Sequence, residues 1–442
     1  MDYVIIGGDA AGMSAAMQIV RKDEKANVTT LERGGIYSYA QCGLPYIIGG
    51  AVESTDDLIA REVDTFRNKH GIDARTFHEV TDVDIEKKLV KGMDLQHNQP
   101  FEIPYDKLLI ASGASPVVPD WEGRNLHNIH TLKTIPDIKE IAADLDGVSD
   151  VTIIGGGYVG LELAENFIET GRHVRIIERN NRLAKMFDED MGELILEEAK
   201  KHGVELCLEE SVESFTGTDQ VEAVVTDQNT YQTDMVIVAA GIKPNTEFLQ
   251  KTNVHVEDNG AVKVNRYMQT NEKDVYAAGD CAVQYHRIKE KDDYVPLGTH
   301  ANKQGRTAGL NMIGKPKAFQ GILGTSILRF FDLTLAKTGL NEAEADDIGF
   351  AYDTVTNKTV NIAGYFAGKT ALHVKLLYRT DNDMVIGGQV IGKDGADKRI
   401  DVLATALFHH MTLSDFEDLD LSYAPPYNGV WDPIQQTVRR AT

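Results

Sequence analysis

Cysteine is scarce: Cys42, Cys207 and Cys281 are the only three in a chain of 442 residues. So sparse and odd a set argues against a disulfide framework and for a reducing compartment. Long hydrophobic runs are missing too. The longest are strand-length, so no segment is expected to span a membrane. Met1-Asp2-Tyr3 leads straight into the apolar Val4-Ile5-Ile6, leaving no room for a signal peptide, and a cytoplasmic protein is expected. Positive charge is also short, with 45 Lys and Arg against 68 Asp and Glu and a formal net charge of −23. That balance disfavours nucleic acid and anionic membranes as partners, and an anionic substrate would need a local basic patch. No cysteine or histidine cluster has ligand spacing, so no metal site is expected. Low-complexity tracts and short-period repeats are absent. What remains is a globular composition, 42% hydrophobic and 26% charged, at a length that predicts about two to four domains.

One long-range echo organises the chain. Tyr3-Val4-Ile5-Ile6 reads as a buried strand that turns through Gly7-Gly8-Asp9-Ala10-Ala11-Gly12 into an alanine-rich helix. Small residues there let backbone N–H groups approach a pyrophosphate at the helix N-terminus. Val28–Leu31 reads as the next strand, and Glu32 at its end is placed to accept hydrogen bonds from a ribose diol. The fingerprint is imperfect, because Asp9 stands where G-x-G-x-x-G needs its second glycine. The echo is cleaner. Val151–Ile154 leads into Gly155, Gly157 and Gly160, then a helix, then the strand Val174–Ile177 ending in Glu178. Glu178 suits a free 2′-hydroxyl and so favours NADH, while the neighbouring Arg179 and Arg182 could instead pair with the 2′-phosphate of NADPH. Two such units, each in strand–helix–strand–acid context, predict two Rossmann-like dinucleotide domains in an α/β fold.

Three more apolar strands end in small residues, at Ala111-Ser112-Gly113, at Gly241 and at Gly279-Asp280. An aspartate at such an edge can hold a polyol chain. Pro296–Ala301 opens a helix whose start, at Gly298 and Thr299, can face an electron-rich ring. From about Gly321 the texture becomes alternating strands at Ser326–Phe331, Leu333–Thr338, Val360–Ala363, Ala371–Tyr378 and Met384–Gln389. A helix at Asp397–His410 completes a separate α+β domain.

The stretch that these units serve is Ser38-Tyr39-Ala40-Gln41-Cys42-Gly43-Leu44-Pro45-Tyr46. Pro45 suits the first turn of a helix, so Cys42 is expected where a helix begins, with its thiolate favoured by free N–H groups and the helix dipole. Cys207, in the alternating Val204–Leu208, and Cys281 are expected in the core.

In this order the motifs resemble the pyridine nucleotide-disulfide oxidoreductases, flavoproteins with two dinucleotide-binding domains, over essentially the whole chain. The resemblance implies an FAD domain of residues 1–115 and 245–320, an inserted NAD(P)H domain of residues 116–244, and a dimerisation domain of residues 321–442 that completes the partner's active site in a homodimer. It implies that Gly7, Gly8, Gly12 and Glu32 bind the FAD pyrophosphate and ribose and Asp280 the ribityl chain, with Gly298 and Thr299 near the flavin ring. Gly155, Gly157, Gly160 and Glu178 would bind the nicotinamide dinucleotide, with Tyr158 as an aromatic gate and Glu162 near the nicotinamide. Ala11, Arg33, Ala111, Gly113, Gly241 and Gly279 belong to the same cofactor-binding set.

The two-cysteine branch carries C-x-x-x-x-C, but position 47 is Ile, and the Tyr423–Tyr427 segment lacks that branch's histidine. The chain therefore resembles the single-cysteine branch. Ala10 stands where oxidases and peroxidases of that branch carry histidine. Cys42–Tyr46, Gly395–Asp401 and Tyr423–Tyr427 are instead like the coenzyme A disulfide reductases. The implied activity passes a hydride from NAD(P)H through FAD to Cys42 and on to coenzyme A disulfide. Tyr365 and Tyr423 of the partner would protonate the leaving thiolate, and Arg21, Ser38, Gln41, Lys69 and Tyr427 would contact the substrate. Gln41 replaces an asparagine typical of the coenzyme A enzymes. At rest Cys42 would carry a coenzyme A mixed disulfide or cycle through sulfenic acid. Persulfide or polysulfide reduction and NADH oxidase or peroxidase activity are the alternatives.

Overall fold

In the computed structural model, which describes residues 1–441, the run Asp2–Ile6 is the central strand of a five-stranded parallel sheet. Its neighbours are Asn27–Leu31 and Lys107–Ile110, flanked by Asp73–Arg75 and Val275–Ala277. Val4, Ile5 and Ile6 are all buried, which explains why the run is continuous rather than alternating. A second parallel sheet repeats the plan around Asp150–Ile154, with His173–Glu178 and Met235–Val238 beside it and Glu205–Leu208 and Ile129–His130 outside. Each central strand feeds a helix, Ala10–Lys22 in one sheet and Tyr158–Glu169 in the other. The chain passes between the two units through an antiparallel pair, Ala114–Pro116 with Ile242–Pro244.

The third sheet is antiparallel, in the order Ser326–Phe330, Leu333–Gly339, Val385–Gly392, Ala371–Arg379, Tyr352–Val360. The helix Ala396–Phe408 packs on it. One expectation fails here. The strand anticipated at Val360–Ala363 lies instead at Tyr352–Val360. It is an edge strand with Asp353, Thr356 and Lys358 exposed. Charged edges discourage stray pairing, and that polarity hides such a strand from a search for apolar runs.

Small residues set how closely the helices approach. The helix Gly298–Met312 lies against Ala10–Lys22, and a Cβ on Gly305 would overlap the Ala11 backbone. The cysteine stretch is anchored to the second unit. Leu44, Ile48 and Leu58 share one buried cluster with Leu161 and Phe167, and with Leu328 and Phe330 of the third sheet. Each such side chain is worth roughly 1.5–3 kcal/mol on burial, so the loop is fixed where all three units meet. Buried Lys375 adds a polar tie between them, 2.7 Å from Asp190 and 3.3 Å from Asp188. Among the described residues no helix is long and apolar enough to cross a membrane.

Candidate active site

Both glycine turns are built on one template. Gly7 and Gly155 take φ of +115° and +109°, a region that favours glycine. A Cβ on Gly7 would overlap the Ala111 carbonyl, and one on Gly155 the Ala239 carbonyl. Likewise a Cβ on Gly12 or Gly160 would strike the carbonyl of Gly7 or Gly155. The acids are held alike: Gly8 N–H donates to Glu32 Oε2 at 2.9 Å and Gly156 N–H to Glu178 Oε2 at 2.8 Å. Their second oxygens accept from Gly34 N–H at 2.8 Å and Asn180 N–H at 2.9 Å. Each carboxylate is thus pinned at its strand end with lone pairs to spare for a ribose.

Beside the first turn a cavity of about 360 Å³ is lined by Gly7, Glu32, Arg33, Ser112 and Asn245, among others. Arg33 donates to Ser115 Oγ at 3.1 Å. Gly279 packs against Ala11 of the first helix, where a Cβ would come within 2.9 Å of the Ala11 methyl, and its N–H donates to Gln304 Oε1 at 2.9 Å. Gly113 and Gly241, both at positive φ, flank the antiparallel pair that joins the units. Asp280 lies 3.1 Å from Lys133 Nζ. Gly298 and Thr299 sit exposed in the first turn of their helix. Arg179 beside Glu178 is exposed and Arg182 half-buried.

Cys42 lies in the short turn Gln41–Gly43, just before the helix Pro45–Ile48, with Pro45 in its first turn. Ser38 enters that turn at φ +48°, a strained conformation of the kind that gathers at functional sites. Of the three cysteines Cys42 alone is exposed. Cys281 Sγ is buried against the carbonyls of Ile110 and Ala278, each at 3.4 Å.

The expected thiolate bias is overturned. The protein walls around Cys42 push its thiol up, Glu162 and Asp280 add to this, and Lys133 with a backbone N–H only partly opposes it. A four-residue helix offers too little dipole to win. Glu162 is itself pushed up to about 7, by burial first and then by Glu165, against a 3.5 Å contact from the Tyr46 hydroxyl. Tyr158 is half-buried with its hydroxyl bonded to Ser326.

On the third unit the Tyr365 and Tyr423 hydroxyls meet at 3.2 Å on an exposed face, with Tyr427 also exposed. The neighbouring Tyr423 hydroxyl pushes Tyr365 up, which keeps it a proton donor. Buried Arg399 holds both tyrosine loops, donating to Asn361 O at 2.9 Å, Asn428 Oδ1 at 3.0 Å and Asp432 Oδ2 at 3.1 Å. Elsewhere Arg61, Lys69 and Arg21 converge on His70, which burial and then these cations hold below its ordinary value. Arg61 escapes sequence inspection, as does Lys133, because neither belongs to a local pattern. The carboxylates of Asp188, Asp190 and Glu342 also come within ligand distance of one another, but Lys375 pairs with all three.

The family model for the pyridine nucleotide-disulphide oxidoreductases matches residues 1–305, and that for their dimerisation domain residues 325–433. The chain belongs to this family. It is 39% identical over 434 residues to a CoA-dependent NAD(P)H sulfur oxidoreductase of Pyrococcus abyssi, covering 98% of this chain and 96% of that one. It is 32% identical over 432 residues to a coenzyme A disulfide reductase of Staphylococcus aureus, covering 98% and 97%. Among solved structures, an NAD-dependent persulfide reductase from A. fulgidus superposes with a TM-score of 0.97 at 36% identity, over 100% of this chain and 83% of that one. Within the family's frame, the cysteine stretch touches the helix after the second glycine turn, where the Tyr46 hydroxyl meets Glu162 at 3.5 Å, and the tyrosine pair lies on the dimerisation domain.

Proposed function

We propose that this oxidoreductase passes a hydride from NAD(P)H through FAD to Cys42 and on to a small-molecule disulfide, most favourably coenzyme A disulfide. One observation carries the reading: the single exposed thiol sits beside Glu162, Lys133 and Asp280, with Glu162 on the helix that follows the second of two glycine turns of like build. The first turn, its pinned acid and the adjoining cavity suit FAD, with Gly7, Gly8, Ala11, Gly12, Glu32, Arg33, Ala111, Gly113, Gly279, Asp280, Gly298 and Thr299 as its binding set. Gly155, Gly157, Tyr158, Gly160, Glu162, Glu178 and Gly241 are assigned to NAD(P)H, with NADH favoured by Glu178. Residues 1–115 with 245–320, 116–244 and 321–442 are the corresponding domains, and a reducing cytoplasm suits the free thiols.

Bound FAD would supply a two-electron relay from NAD(P)H. The protein's own part is thiol chemistry. Cys42 as thiolate attacks one sulfur of the disulfide, the S–S bond breaks, and the departing thiolate takes a proton. Tyr365 and Tyr423 of the partner are suited to donate it. The one electron pair from NAD(P)H, relayed through FAD, would then break the mixed disulfide, restoring the Cys42 thiolate and releasing the second thiolate, which takes a proton, so that one NADH and one proton convert a disulfide to two thiols. Arg21, Arg61, Lys69 and His70 form the local basic patch that an anionic substrate needs on a chain of net charge −23, with Ser38, Gln41 and Tyr427 nearer the sulfur.

Persulfide or polysulfide reduction is the second reading. It uses the same thiol, and relatives at 36–39% identity bear sulfur and persulfide names. An oxidase is less favoured because Ala10 provides no imidazole. The test is anaerobic NADH oxidation with coenzyme A disulfide, glutathione disulfide and polysulfide in parallel, using wild type and Cys42→Ser. Cys42→Ser should still reduce its flavin but lose disulfide turnover by at least ~10³-fold. Unchanged turnover would refute the role of Cys42, and reduction of oxygen or peroxide alone would replace the disulfide reading.

A further inference from the structure

Two positions break the motif patterns in this sequence: Asp9, where the fingerprint needs glycine, and Gln41, where asparagine precedes the cysteine in related reductases. The fold brings them together. Gln41 Nε2 donates to Asp9 Oδ2 at 2.6 Å across 32 residues of chain. The longer glutamine is what spans the gap, since asparagine would be one methylene short. This contact is the third stitch between the two loops: Ser38 N–H donates to Gly8 O at 3.1 Å, and the Tyr37 ring lies against Gly8. Of the three it is the one nearest Cys42 in the chain, and its acceptor is the Asp9 carboxylate, which a Tyr39 backbone N–H also faces.

We propose that Asp9 and Gln41 form a latch that fixes the Cys42 turn against the first glycine turn, making Asp9 a positioning residue for the redox cysteine. The proposal rests on Cys42 as the reactive thiol. With its side chain bound to Asp9, Gln41 serves the loop rather than the substrate.

The latch weakens in acid. Burial pushes the Asp9 carboxyl up to about 6; Glu32 adds to this, while the Gln41 bond, a backbone N–H at Tyr39 and Lys133 oppose it. Above that value the acceptor is ionised and the bond charge-assisted; below it the turn is less firmly held. Facing Cys42 are Glu162, Lys133 and Asp280. Glu162 is pushed up to about 7, so the exchange comparison is made in both wild-type and Glu162→Gln backgrounds, while turnover is read with Glu162 intact.

The experiment is hydrogen exchange of the peptide covering residues 39–44 in the holoenzyme, at pH 5 and pH 7.5, corrected for intrinsic rates and paired with the pH profile of disulfide turnover. Protection should fall about three- to tenfold at the lower pH, with an acid limb near pH 6 in turnover. Asp9→Asn should show acid-side protection at both pH values. Gln41→Asn should be equally flat although Asp9 still titrates, and the double variant should lose no more than either single one. A pH-dependent protection that persists in Gln41→Asn, or additive single effects, overturns the latch. Retained flavin absorbance shows that the variants are folded. Failure of the disulfide reading would appear separately, as turnover in Cys42→Ser with the exchange pattern intact.

Discussion

Cys42 is poised against ionisation, and the groups responsible can be separated. Its walls and the Glu162 carboxylate raise the thiol while Lys133 lowers it. An anion beside a thiol disfavours a second negative charge, and Glu162, pushed up to about 7, is largely ionised at pH 8. Glu162→Gln should therefore lower the thiol's pKa and speed alkylation of Cys42 by iodoacetamide about three- to tenfold at pH 8, whereas Lys133→Met should slow it. Cys207 and Cys281 are buried with their thiols pushed up, so the signal belongs to Cys42. No change in either variant would mean that desolvation alone sets the thiol. The sign also bears on catalysis. Any cation that offsets Glu162 at this site, as Lys133 does in part, favours the thiolate and so the nucleophile.

Each strand–glycine–helix–acid unit is a local device, and its glycines answer to contacts within that unit. Gly155→Ala places a Cβ at φ +109° against the Ala239 carbonyl. The variant should keep its flavin, because Gly7, Gly12 and Glu32 are untouched. It should lose about 1–3 kcal/mol in thermal unfolding and slow NADH-driven flavin reduction at least tenfold in stopped flow. Equal loss of flavin would show that the second turn is not dedicated to the nicotinamide coenzyme. The same locality explains what was legible beforehand. Gly7 to Glu32 and Gly155 to Glu178 announce themselves because the turn, helix and acid lie at fixed spacing in one stretch. Lys133 does not, since its effect on Cys42 and Asp280 arises only once distant segments fold together. Arg61, in the loop before the helix Val63–His70, joins Arg21 and Lys69 around His70 the same way, from segments far apart in the chain. The polar edge strand Tyr352–Val360 is hidden for another reason: only Val355 and Asn357 of its nine residues are buried, and burial is what apolar patterns record. The thiol's surroundings are not legible locally either: the helix after Cys42 has only four residues, and Glu162 reaches it from another unit.

At the scale of the whole molecule, the exposed aromatic face is the open question of the fold. Tyr365, Tyr423 and Tyr427 are 77%, 46% and 72% exposed, with Val430 and Trp431 beside them, on the domain that matches the family's dimerisation model. Patches of this kind mark association surfaces. Yet the loops are not loosely held: Arg399 and Asp432, both buried, bind them from beneath, and a rigid presentation suits a face that must meet a reacting centre. If the tyrosines serve the partner's Cys42, function should complement across subunits. Tyr365→Phe/Tyr423→Phe should lower disulfide turnover about 10²-fold by removing a general acid, and Cys42→Ser should abolish it. A tagged heterodimer of the two contains one cysteine-bearing site facing intact tyrosines, so its turnover should recover to about half of wild type. Tyrosines acting within their own subunit would leave that heterodimer as impaired as the tyrosine variant, because its only Cys42 would still lack them. Recovery would make the dimer the catalytic unit, with each chain completing a site that it cannot finish alone.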